Sequence, residues 1–128
     1  MDQDEVYIDF SFLDGLSVTD DNFKREVINI FLANAPGSVE KLDEIVREEG
    51  EWEEIYKQAH YLKSSFSVIK ISHINDLLQK IEQLAKKEVK RKEIEISTKE
   101  LVAIFEKALP LLIHERDSLG GAGNSPLA

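Results

Sequence analysis

The sequence predicts an all-α fold: an antiparallel up-and-down four-helix bundle preceded by a short N-terminal extra segment. Three observations carry this. Apolar residues recur at helical spacing in several successive segments. Short polar turns separate those segments, so each must bury its stripe against a near neighbour. The composition, 42% hydrophobic and 32% charged, suits a helical protein with one core, and no alternation of strands with helices is present.

The elements follow in order. Tyr7 to Leu16 (YIDFSFLDGL) is short and partly alternating, compatible with a strand or a short helix, and Gly15 weakens both. Ser17 or Thr19 can cap the next helix, with Asp20 and Asp21 favourable in its first turn. Phe23, Val27, Ile30 and Phe31 form its seam. Pro36 interrupts, because proline lacks an amide hydrogen and restricts the residue before it. Val39, Leu42, Ile45 and Val46 resume the period, so two segments or one kinked helix should reach Gly50.

A helix beginning near Glu51 carries Ile55, Ala59, Leu62, Phe66 and Ile69, and a turn over Lys70 to Ser72 follows. Ile74, Leu77, Leu78, Ile81 and Leu84 form the next seam, closed by the polar stretch from Lys86 to Glu93. Ser97 and Glu100 have capping-box spacing and should open a last helix bearing Leu101, Ile104, Phe105, Ala108 and Leu112. Pro110 should kink or shorten it. One domain over residues 1–118 is expected, with 119–128 a flexible tail.

Bulk properties exclude several functions. A net charge of -9 opposes general nucleic-acid binding, since phosphate backbones call for cations. No cysteine is present, which removes disulfides, thiolate metal sites and a cysteine nucleophile. The acidic start shows no signal peptide and no apolar run approaches a membrane span, so a cytoplasmic location and no membrane partner are expected. Three scattered histidines without metal-ligand spacing argue against a metal site. No glycine-rich phosphate loop appears, hence no ATP site.

The informative stretch is Ala59-His60-Tyr61-Leu62-Lys63-Ser64-Ser65. Ala59 lies on the buried seam, so His60, rotated by about 100°, sits at the rim. Lys63 and Ser64, three and four residues on, are its neighbours on the helix surface. Lys63 can set a cation against a phosphoryl group on the imidazole. A small residue at 64 leaves the ring open to an approaching protein.

This pattern resembles the histidine-containing phosphotransfer (HPt) domain, whose signature runs Ala-His-x-Leu-Lys-Gly-Ser. The order of helices matches to about Ser118, and the specific likeness covers roughly Trp52 to Leu84. The resemblance implies that His60 accepts a phosphoryl group and that Lys63 neutralises its charge. The family often places a glutamine or glutamate 22 residues after the histidine, bonded to the imidazole; here that is Glu82, with Gln79 in a lesser orienting role. Two usual glycines are replaced, by Ser64 and by Lys70.

The function so implied is phosphoryl carriage in a two-component phosphorelay. The partners would be a sensor histidine kinase and a response-regulator receiver, with Mg²⁺ expected on the receiver and no cofactor of the chain's own. Docking should fall over Tyr56, Lys63, Ser64 and Ser67, extended by Phe12 and Leu13. The protein would be a carrier rather than an enzyme, and a monomer. A helical adaptor carrying no phosphate, or a purely structural bundle, are the alternatives. His73 and His114 read as ordinary helix-end residues, and the cluster Lys86, Lys87, Lys90, Arg91, Lys92 as a solvated hairpin end.

Overall fold

The computed structural model describes residues 6–16 and 20–124, with side chains through Leu119. The fold is all-α. Five helices, α1 (Ser11–Leu16), α2 (Asp21–Arg47), α3 (Trp52–Val68), α4 (Ile74–Lys87) and α5 (Arg91–Asn124), are joined by one small ribbon of β1 (Ile8–Asp9) and β2 (Lys70–Ile71).

The N-terminal segment is therefore both strand and helix. β1 pairs antiparallel with β2, Ile8 opposite Ile71 and Asp9 opposite Lys70, so it fastens to the connection after α3. Ser72 N–H extends the ribbon to the Tyr7 carbonyl at 3.1 Å. Lys70, where the family's glycine usually stands, is thus in extended backbone and carries no positive φ. The left-handed residue is His73 at φ 66°, which opens α4.

Asp20 caps α2, its carboxylate accepting from Phe23 N–H at 3.1 Å; Ser17 and Thr19 lie outside the described residues. α2 is one helix with Pro36 inside it. The missing proline amide leaves the helix one bond short there, but buried Ala35 and Val39 hold both sides in the core. The same holds at Pro110, across which α5 continues to Asn124, past the tail boundary expected at Ser118. That helix also starts earlier than the Ser97–Glu100 spacing suggests. Buried Ile94 brings the preceding turn into the seam, and Thr98, itself buried, donates to the Ile94 carbonyl at 2.8 Å. A hydroxyl inside a helix uses the carbonyl four residues back.

The expected seams of α3 and α5 hold: Ile55, Ala59, Leu62, Phe66 and Ile69 are buried, as are Leu101, Phe105, Ala108 and Leu112. That of α2 holds at Phe31, Val39, Leu42 and Val46 and is shifted only in the first turns. Lys24, Ile28, Phe31 and Ala35 face inward, while Phe23 and Ile30 are exposed. α3 packs on α4, α4 on α5, α5 on α2 and α2 on α3. At the centre Phe31, Phe66 and Phe105 meet edge to face, with ring centroids 5.3–6.5 Å apart, the arrangement aromatic quadrupoles favour.

Candidate functional site

Helical periodicity places His60 beside buried Ala59 on α3, and Glu82 beside buried Ile81 on α4. The two rims meet. His60 Nδ1 lies 2.7 Å from Glu82 Oε2, and Lys63 Nζ donates to Glu82 Oε1 at 2.9 Å. Lys63 also donates to Gln79 Oε1 at 2.5 Å. As α3 advances from His60 to Lys63, its partner on α4 retreats from Glu82 to Gln79, so these two helices run in opposite directions.

The electrostatics fix the proton. Burial, the largest influence on Glu82, raises its carboxyl pKa, but hydrogen bonds and charges from Lys63 and His60 together outweigh it and hold the group below its ordinary value. Glu82 is then an anion with acceptors only, and the Nδ1 facing it must carry the hydrogen. In neutral imidazole that leaves Nε2 with a free lone pair. The Glu82 side chain is 11% exposed and that of His60 66%. The carboxylate is in the wall and the imidazole in the open.

Tyr56, one turn earlier on α3, stacks on the imidazole, with centroids 6.0 Å apart and planes 16° from parallel. It flanks the imidazole on the side away from Lys63. Five predicted residues, Tyr56, His60, Lys63, Gln79 and Glu82, therefore form one cluster. Gln79 orients the lysine rather than the imidazole.

Ser64 and Ser67 stand on the same helix but outside this network. Ser64 Oγ donates to the Tyr61 carbonyl at 2.8 Å and Ser67 Oγ to the Ser64 carbonyl at 2.6 Å. Both hydroxyl hydrogens are thus directed at backbone. Ser64 instead lines an apolar groove of about 210 Å³ between α2 and α3, with Val27, Ile30, Tyr61 and Val68 among its walls. Tyr61 and Ile30 are half exposed there, although the spacing in α2 predicts Ile30 on the core face. Phe12 is exposed, as a surface residue must be, but Leu13 is fully buried and cannot contact a partner. It is the one apolar side chain of α1 that reaches the core.

A second lysine network was also missed. Lys24 Nζ contacts Asp14 at 2.6 Å and Glu115 at 2.8 Å, tying α1 to α2 and α5, and sits 4.8 Å from the Phe10 ring centroid. A lysine four residues before a core isoleucine is the only trace it leaves in the sequence.

Among the described residues no helix is long and apolar enough to cross a membrane. No curated protein and no solved structure matches the chain. A family model described as Hpt domain matches residues 26–117, a span holding every member of the His60 cluster. Domains of this kind are phosphocarrier modules of two-component signalling that interact with kinases and receiver domains, and are not themselves enzymes. With most of its length matched, the chain belongs to the Hpt domain family.

Proposed function

We propose that His60 carries the phosphoryl group, accepting it at Nε2 from a receiver aspartate or a sensor kinase and passing it to a response-regulator aspartate. The observation that carries this reading is the Nδ1–Glu82 contact of 2.7 Å on a ring that is 66% exposed.

The step balances simply. The Nε2 lone pair forms a bond to phosphorus as the bond from phosphorus to the donor's carboxylate oxygen breaks, and that carboxylate leaves as an anion. Nδ1 keeps its hydrogen, and the positive charge that the ring acquires is met by Glu82. Transfer between two nucleophiles with a loose transition state depends on alignment and on spreading charge. Glu82 and Tyr56 supply alignment. Lys63 supplies a cation that can turn from Gln79 toward the phosphoryl oxygens while Glu82 stays with the ring. Mg²⁺ belongs to the receiver in this scheme.

The receiver would approach over Tyr56, Lys63, Ser64 and Ser67, with the groove beside Tyr61 receiving apolar side chains. Phe12 extends this surface only from a distance in sequence. The four long helices act as an antiparallel up-and-down bundle that keeps α3 and α4 in register. Each has an internal partner for its stripe, which supports a monomer working in the cytoplasm beside its kinase and receiver. The test is ³¹P and ¹⁵N NMR of the phosphorylated protein. A phosphoramidate at Nε2 of His60 is expected, and one at Nδ1 or at another residue contradicts the assignment.

A further inference from the structure

The end of α4 and the start of α5 hold a concentration of positive charge that the site does not use. Residues 80–92 contain six of the chain's 16 Lys and Arg, namely Lys80, Lys86, Lys87, Lys90, Arg91 and Lys92, against two carboxylates, in a protein of net charge -9. Local structure accounts for part of this. Lys80 pairs with Glu93 at 2.5 Å, and Arg91 lies over the Trp52 ring and donates to the Gly50 carbonyl at 3.0 Å. Lys86 and Lys87 suit the negative C-terminal end of the α4 dipole.

The rest is not accounted for. Lys86 and Lys87 are exposed, and among the described residues neither side chain is held in an ion pair or hydrogen bond. Lys90 and Lys92 flank the first residue of α5, where the dipole is positive and cations are disfavoured. Lys92 reaches Glu95 only at 3.8 Å, and Lys90 is held at φ 59°. At Lys90 and Lys92 charge is kept where helix physics opposes it.

Its position relates it to the site. Lys86 is one turn beyond Glu82 on the same face of α4. Continuing the His60–Glu82 and Lys63–Gln79 register by one turn sets Lys86 across from Tyr56, which stacks on His60. The cationic corner therefore borders the imidazole on the side away from the apolar groove.

We infer that this corner, Lys86, Lys87, Lys90 and Lys92, is an electrostatic landing surface for the acidic phosphoacceptor face of the receiver. The inference rests on the phosphocarrier reading. A receiver that accepts on a carboxylate and binds Mg²⁺ must present several oxygen anions there, while most of this chain would repel them. A basic corner on an acidic body is a molecular dipole, and it turns an incoming acidic face toward His60 before contact.

The test uses the full chain and whichever receiver domain in a panel accepts phosphate from or donates it to the wild type. The association rate constant is measured by stopped flow over a range of salt. Lys86→Glu/Lys87→Glu/Lys90→Glu is compared with Lys41→Glu/Lys99→Glu/Lys107→Glu, which changes net charge equally at exposed positions elsewhere. The matching Lys86→Gln/Lys87→Gln/Lys90→Gln variant guards against a folding defect. The corner reversal should slow association by roughly ten-fold or more at low salt and remove most of its salt dependence. The neutral variant should fall between, and the distant reversal should have a several-fold smaller effect.

Equal losses in the two reversals, or none in either, would overturn the landing surface while leaving His60 as carrier. Wild-type binding to duplex DNA or phosphatidylserine vesicles that the corner reversal abolishes, with receiver association unchanged, would overturn it in favour of another partner. If no receiver exchanges phosphate with the wild type, the carrier reading falls and this inference falls with it.

Discussion

Among the described residues two lysines are held between side-chain acceptors, and they differ in what they leave over. Lys24 sits between Asp14 and Glu115, its side chain 10% exposed, and joins three helices. Lys63 sits between Gln79 and Glu82, its side chain 32% exposed, and shares the Glu82 carboxylate with an imidazole. Around Lys24 two carboxylates answer one cation and no reactive atom remains. Around Lys63 one carboxylate serves two partners, one of them a ring with a free nitrogen in solvent. The first network is a clasp, and the second leaves an imidazole open to solvent. Burial and charge alone do not separate them; the unused lone pair does.

Substitutions should separate the two networks in graded ways. The largest effect is expected from His60→Gln, which should abolish phosphoryl transfer while changing stability by no more than about 0.5 kcal/mol, as for other exposed positions. Phe66→Ala should do the opposite. It removes the buried ring between Phe31 and Phe105 and should cost about 3–5 kcal/mol in urea unfolding, with transfer lost only as folded protein is lost.

The lysines come next. Lys63→Met should slow transfer roughly 10- to 100-fold, less than the loss of a buried oxyanion donor because this site is open to water. Its unfolding midpoint should move less than that of Lys24→Met, because Lys63 is the more exposed of the two and Glu82 keeps its contact with His60. Lys24→Met should cost about 1–3 kcal/mol through the lost clasp and leave the transfer rate of folded protein unchanged. A clear effect of Lys24→Met on transfer would remove the distinction between the two networks.

The smallest effects are in pH. Glu82 is held below its ordinary 4.5, so its contribution to stability is present above that pH and is lost as pH falls through the lowered value. The stability gap between wild type and Glu82→Gln should therefore narrow only on acidification. For Lys24, burial lowers the pKa, but Asp14 and Glu115 more than offset it and raise the group above its ordinary 10.5. Its contribution is present below 10.5 and is lost as pH rises through the raised value. The gap to Lys24→Met should close only on strong alkalinisation. Denaturant titrations across pH check both signs.

Much of this was legible in the sequence because helical periodicity places rim residues as surely as core ones. The resemblance points to Glu82, and periodicity sets it one step past Ile81 as His60 is one step past Ala59, on facing edges that do meet. Gln79 was assigned to the wrong neighbour, since periodicity gives the face but not which of two polar residues a flexible lysine reaches. Only the first turns of the α2 seam differ, because Lys24 reads as polar, although its aliphatic stem packs inward while its ammonium finds two carboxylates. Leu13 was placed on the surface because six residues of helix define no face. Ser97 looked like a cap because a capping box and two mid-helix polar residues have the same spacing; only the burial of Ile94 separates them. The pairing of Ile8 with Ile71 joins positions far apart in the chain, and no local pattern carries it.

The most direct test of the central claim is transfer of radiolabelled phosphate from a panel of phospho-receivers to wild type and to His60→Gln. Acid-labile, alkali-stable label on the wild type, and none on His60→Gln, is the predicted result. Label that persists on His60→Gln would contradict the account, because the poised nitrogen would then not be the one that carries the group.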